Sequence, residues 1–436
     1  MLREPGSGRK KAAAKFVVCS FFGIFMFFVR IDIGGMKSIP VDHLIAWMKS
    51  WLKDSYLYLI LAASVCSIVL RLIKREFRNA ADILLFLTTV CGSLVCLAVL
   101  LGIGGEAVRE AGSFAVDATG NILCAIFAAS LFIPFLTEYG LVEAAGMLFR
   151  PFMRKVFLTP GSSAVIGVSA FLGNYSMGHI LARQRYEEGS FTEKESVIIA
   201  LGFSTCSVGL MINLADYLDL MQYWSAYVAC ILLITFGVTA IVSRIPPISR
   251  KKETYRKGTP PRLEKEIRIS PGEIWRTGVE TAAEAPGFFR ALVNILLRTA
   301  PVVCGIAGTS MAVITFGMLA AAKTDLYRWI GWLVRPVLML AGGGMEETAA
   351  VSSAIGAGLL EPVLTGILCG GQEISLRLRW AAGIVPYTAI VFFAGFIPSV
   401  CSSRIPCTVW EMVILWAERT VLSAVLAVLS GWALFG

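Results

Sequence analysis

The chain has 436 residues, 56% of them hydrophobic and 16% charged, with a mean hydropathy of +0.73 and a formal charge of +9. Soluble domains carry about 25% charged residues, so this composition excludes a soluble fold, and the charge needs no nucleic-acid partner to explain it. Apolar windows of about 18 residues or more recur along the chain and predict an all-α polytopic membrane protein.

The amino end, MLREPGSGRKKAAAK, holds five basic residues and one acid, which by the positive-inside rule keeps it cytoplasmic. No small-residue cleavage site follows the first apolar stretch, so no secretory signal is expected. Span 1 is expected over residues 16 to 34, followed by an interfacial helix in VDHLIAWMKSWLKD and span 2 over 55 to 73. Span 3 covers 81 to 103, with an acidic loop around Glu106, Glu110 and Asp117, and span 4 covers 118 to 137. An amphipathic segment, LVEAAGMLFRPFMRKVF, returns the chain to the basic side.

Three apolar stretches follow, at 160 to 182, 196 to 214 and 222 to 243, before the basic run SRIPPISRKKETYRKGTPPRLEKEIRIS. Both flanks are basic, so an even number of crossings is required and one stretch must turn back. The first is the candidate, because Arg183 and Arg185 then share a side with Arg154 and Lys155. Folded in two, it gives arms of about 11 residues, each about 16 Å long and half of a ~30 Å hydrocarbon core. Its tip would be Gly173-Asn174-Tyr175-Ser176. Irregular backbone at that depth requires protein or a water-filled cavity around it. The competing reading is an ordinary spanning helix whose Gly and Ser residues allow close packing.

The basic run, rich in proline, reads as a solvated cytoplasmic linker between two halves. Beyond it, span 7 (292 to 321), an amphipathic LYRWIGWLVRP, a small-residue stretch and spans 8 (380 to 399) and 9 (409 to 434) repeat the order of the first half. The pairs Arg150-Pro151 and Arg335-Pro336 fall on opposite sides, so the repeats are inverted. The expected organisation is an amino-terminal region (1–110), repeat 1 (111–243), a linker with an amphipathic segment (244–290) and repeat 2 (291–436), with about nine spans and two re-entrant hairpins. In this topology 27 of the 39 basic residues lie on the cytoplasmic side and 10 outside.

Inverted repeats with broken helices recur in secondary transporters, with solute and ions held where half-helix ends converge. Candidate solute contacts are Asn174, Tyr175, Ser176 and His179 in the first hairpin, and Ser204 and Thr205 in the next span. Packing is the alternative role for His179, and backbone satisfaction for the hydroxyls. In the second hairpin Glu361 is the candidate for coupling to H+ or Na+, since a carboxylate at bilayer depth must face protein or water; a shallower segment would leave it wet. Glu418 and Arg419 are charges deep in span 9, each needing a partner elsewhere. The eleven cysteines match no metal spacing, so neither metal nor cofactor is expected, and no Ser/His/Asp set or phosphate loop suggests an enzyme.

The stretches KFVVCSFFGIFMFFVRIDIGGMKSIPVDHL, RPFMRKVFLTPGSSAVIGVSAFLGNYSMGHILARQRYEEGSFTEKES and SRIPCTVWEMVILWAERTVL resemble the bacterial YjiH family. That family carries the Gate, or nucleoside-recognition, domain shared with concentrative nucleoside transporters and FeoB iron transporters. The resemblance covers nearly the whole chain. It implies a bacterial inner-membrane protein that binds a small polar solute such as a nucleoside, with a homo-oligomer left open. A scaffold or assembly factor that kept the fold without transport is the alternative. The chain departs from the family at GIVPYTAIVFFAGF, where only Tyr387 and Thr388 remain polar.

Overall fold

The computed structural model describes residues 5–74, 80–172, 175–203, 208–256, 259–261, 270–403 and 405–436. Helix α1 (Pro5–Phe28) leads into a small antiparallel hairpin, β1 (Ile31–Ile33) and β2 (Met36–Ser38). Its two-residue turn, Gly34-Gly35, takes positive φ at both positions, as a primed turn requires. Span 1 therefore starts earlier than expected and stops before residue 31. The interfacial α2 (Pro40–Leu52) and the apolar α3 (Tyr56–Lys74) and α4 (Ala80–Leu101) follow.

Helix α5 (Glu106–Thr137) is longer than span 4, because the acidic segment expected as a loop is its first turns. The amphipathic α6 (Leu141–Phe152) ends in a π-turn over Met153–Phe157. The short α7 (Ser163–Leu172) and α8 (Tyr175–Glu187) pack on each other. Ten residues make about 15 Å of helix, so α7 cannot cross a ~30 Å core. The apolar stretch expected to cross at 196 to 214 is two helices, α9 (Glu193–Gly202) and α10 (Val208–Tyr217), ahead of α11 (Trp224–Val242).

The second half runs α12 (Pro271–Glu284), α13 (Phe288–Lys323), the short α14 (Leu326–Gly331) and α15 (Arg335–Leu338), and a hairpin of α16 (Met345–Ala357) and α17 (Pro362–Cys369). Span 8 is also broken, into α18 (Leu376–Ala389) and α19 (Phe396–Ser402), and α20 (Val409–Phe435) closes the chain. Each half thus has a long helix, an amphipathic element, a helical hairpin, a broken helix and a closing helix in the same order. Among the described residues seven helical segments are long and apolar enough to cross a membrane. The two broken pairs lie in the stretches where the other two of the expected spans were placed.

Segments assigned to one side of the membrane touch one another. At one end Lys49 pairs with Asp216 at 2.8 Å and Arg379 with Asp219 at 3.3 Å. At the other, Arg244 donates to the Val156 carbonyl in the π-turn at 2.7 Å, and Lys15 to the Ala285 carbonyl at 2.6 Å.

The linker is not simply solvated. Thr254 and Lys252 offer backbone carbonyls to the Glu193 and Lys194 amides at the start of α9, both at 3.0 Å. Lys251 reaches Glu411 of α20 at 2.8 Å, and Arg256 lies 3.5 Å from Glu187. Lys194 sits 2.7 Å from Glu253 and holds that carboxyl below its ordinary range. The linker serves as a clamp because its carbonyls meet unpaired amides at the start of α9 and its charged side chains meet opposite charges near helix ends.

The long helices α4, α5 and α13 form the thick part of the bundle. The α4 to α13 crossing is close because Gly92 faces Gly308; a Cβ at Gly92 would collide with the Gly308 carbonyl oxygen. Such small-residue crossings are how helices approach in lipid. Gly92→Val should therefore destabilise the detergent-solubilised protein by about 1–3 kcal/mol, read as a lower midpoint of thermal unfolding. An unchanged midpoint would contradict the crossing.

Candidate functional site

Breaking a helix frees backbone groups, and where they go defines the centre of this molecule. At the end of α18, Ile390 adopts φ +66°, a positive value unusual for a β-branched residue, at the centre of a tight turn in which the Val391 amide donates to the Ala389 carbonyl. The Thr388 carbonyl then has no amide four residues on to meet it. Arg419 takes that place: its Nε and Nη2 donate to the Thr388 oxygen at 3.1 and 2.8 Å. Its Nη1 donates to Thr239 Oγ1 at 3.0 Å. The Thr239 hydroxyl in turn faces the carbonyls of Gly202 and Thr235, each at 2.7 Å.

Gly202 is the last residue of α9. One fully buried guanidinium (0% exposed) thus links, through Thr239, the carbonyl ends of both broken helices. Gly202 is needed there because a Cβ would strike the Thr239 methyl.

The amides of the second break go elsewhere. Phe393 and Ala394 donate to Leu359 and Leu360 at the tip of the α16–α17 hairpin, both at 2.9 Å. Glu361 lies on that tip at the N-cap position of α17 and is half-buried. The two hairpin arms are tied by Thr365 Oγ1, which donates to the Ala354 carbonyl at 2.9 Å. Near the tip, Gly358 leaves room for that hydroxyl, 2.9 Å from where its Cβ would be.

The first hairpin meets the far side of the second break. His179 in α8 is buried, its Nδ1 is 2.8 Å from Ser399 Oγ in α19, and its ring stands edge-on to Phe396 at 4.7 Å. The Tyr387 hydroxyl donates to the Leu210 carbonyl, and Tyr227 to the Gly383 carbonyl at 2.9 Å. The polar groups of GIVPYTAIVFFAGF are therefore occupied within the protein.

Of the residues singled out from sequence, Glu361, His179 and Arg419 lie on elements that meet at the breaks. Asn174, Ser204 and Thr205 lie outside the described residues, as do the side chains of Tyr175 and Ser176, whose backbone opens α8. Arg419 forms no ion pair among the described residues; its partners are a carbonyl and a hydroxyl. Glu418 is half-buried and its Oε2 has no hydrogen-bond partner among the described residues. Thr239 and Ser399 were not anticipated. The threonines at 235 and 239, one turn apart in an otherwise apolar helix, were the available signal for the first.

A cavity of about 550 Å³ opens at the base of the second hairpin, lined by Gly344, Met345, Glu346, Glu347, Gln372 and Glu373 among others. Glu347 caps two helices, accepting from the amides of Gly344 and Ser375, which leaves Glu346 and Glu373 exposed to the opening. Among the described residues no group of three or more His, Cys, Asp or Glu could hold a metal.

A family model described as Gate, nucleoside recognition, matches residues 120–221, from within α5 to just past the end of α10. An uncharacterized protein of Alkalihalophilus pseudofirmus is 23% identical over 428 residues, covering 94% of this chain and 92% of the relative. A variant of CNTnw solved in an outward-facing state aligns over 99% of both chains, with 13% identity and a TM-score of 0.44. A second CNTnw variant, in an intermediate state, covers 96% of this chain and 92% of that one, with 13% identity and a TM-score of 0.42.

Thr239→Val removes both the acceptor for Arg419 and the donor to Gly202. It should cost about 1–3 kcal/mol of stability, as expected when buried partners are orphaned, and Thr239→Ser should cost little. Equal unfolding midpoints for Thr239→Val and the wild type would refute the bridge.

Proposed function

We propose that the protein is a secondary transporter of the bacterial inner membrane, amino terminus cytoplasmic, carrying a nucleoside-like or other small polar organic solute. The solute binds at the midplane, between repeat 1 (111–243) and repeat 2 (291–436). One observation carries this reading: two broken helices and the tip of a short hairpin meet, so that irregular backbone is gathered in one place. Such backbone is tolerated at membrane depth where protein or a hydrated cavity surrounds it, and transporters of this type bind solute there. The match of residues 120–221 to a nucleoside-recognition model includes the first hairpin and the first break.

In this reading Asn174, Tyr175, Ser176, Ser204 and Thr205 supply hydrogen bonds to the solute. Glu361, at the N-terminal end of α17, changes its protonation or ion occupancy as the solute moves. The acidic cavity at the hairpin base is the outer approach. A second reading, a non-transporting scaffold, draws support from Tyr387, Thr388, His179 and Arg419, whose polar groups are spent on internal contacts.

Uptake of a panel of labelled nucleosides and nucleobases into proteoliposomes, under imposed pH and Na+ gradients, separates the two. The wild type should accumulate at least one solute. Glu361→Gln and Asn174→Ala should each slow it roughly tenfold, the equivalent of one lost polar contact of about 1.4 kcal/mol. Flux equal to empty liposomes for every solute supports the scaffold, and full flux in both variants rejects the assigned site.

A further inference from the structure

Half-helix carbonyl ends and unwound carbonyls are where broken-helix transporters coordinate coupling cations. In this chain those ends meet a side chain. The last turn of α18 presents the Thr388 oxygen to two N–H groups of Arg419, and the Gly202 oxygen ending α9 is reached through Thr239. The charges balance: each helix carboxyl end carries about half a negative elementary charge, and one guanidinium offsets two of them. An isolated buried cation would be strongly destabilising. No carboxylate among the described residues neutralises this one, so its stabilisation must come from the helix ends and the carbonyl bonds.

The shape of the group fits the task. A guanidinium is planar, always charged, and carries five N–H groups in a fixed fork. It can therefore hold two carbonyl ends in a defined relation, as a spherical ion does with oxygen ligands, but without being able to leave.

We propose that Arg419 is a tethered cation: its guanidinium occupies the position at the two broken-helix ends that a coupling metal cation would take. The two repeats are thereby held together without Na+, and solute movement does not depend on Na+. The last clause rests on the transporter reading; the binding claim does not, and it is tested by stability alone. Arg419 is a positioning residue, acting through the backbone that shapes the site.

The test compares thermal unfolding midpoints of the purified full-length protein in detergent, with NaCl replaced by choline chloride at equal ionic strength. The wild type should be indifferent to the exchange. Arg419→Ala should unfold at a lower temperature and regain part of the loss, saturably, in millimolar methylguanidinium or Na+. Arg419→Lys, which keeps a charge, should lose at most half as much as Arg419→Met, which keeps the bulk. A saturable Na+ stabilisation of the wild type would overturn the proposal, as would an Arg419→Ala protein unresponsive to both cations. If Arg419→Ala does not accumulate, the Lys and Met variants decide: equal losses refute a cation role. Absence of uptake in proteoliposomes would count against the proposed function while leaving these readouts intact.

Discussion

A backbone amide or carbonyl at the depth of a bilayer core has no water to turn to, and leaving it unpaired costs several kcal/mol. A membrane protein that interrupts a helix there must supply each freed group with an internal partner. The chain does so at its second break by two routes. The amides of Phe393 and Ala394 borrow carbonyls from the α16–α17 tip, and the Thr388 carbonyl receives Arg419. Even the positive φ of Ile390 fits this pattern, since strain of this kind persists only where surrounding contacts over-determine the backbone.

From this follows the close joining of the two halves. Arg419 belongs to the closing helix of the second half of the chain, whereas Thr239 and Gly202 belong to the first, so a single hydrogen-bonded chain crosses between the halves. The linker makes a second crossing at one end of the bundle, where its carbonyls cap α9 and Lys251 holds Glu411 of α20. A solute site between the repeats would thus have walls that are tied both at mid-depth and at one mouth. It would be shaped by helix ends whose charge is already offset.

Much of this fold was legible because apolar runs and parity are strong constraints. Parity singled out the stretch 160 to 182, where the chain forms the short α7 and the start of α8, and the two Arg-Pro pairs marked the like order of elements in the two halves. The breaks in the stretches 196–214 and 380–399 were not legible. A window of apolar residues looks the same for one helix of 19 residues as for two half-helices, and no proline follows Gly202 to mark a stop. Nor could the sequence show what Arg419 would meet. A deep arginine suggests a carboxylate, but its partner is a backbone carbonyl, and free carbonyls have no letter in a sequence. The linker misled for a related reason, since proline and basic charge read as solvation when helix ends that accept them are distant in the chain.

A midplane solute site requires both hairpins to turn back. Single cysteines at Lys155 and Gln184, which flank the first hairpin, and at Glu346 and Gln372, which flank the second, can be placed in a background without the native cysteines. Labelling with a membrane-impermeant maleimide in intact cells and in inverted vesicles then reports their sides. The expected result is that 155 and 184 react only from the cytoplasmic face, and 346 and 372 only from the other. Finding 155 and 184, or 346 and 372, on opposite faces would make that hairpin a crossing and remove the midplane site.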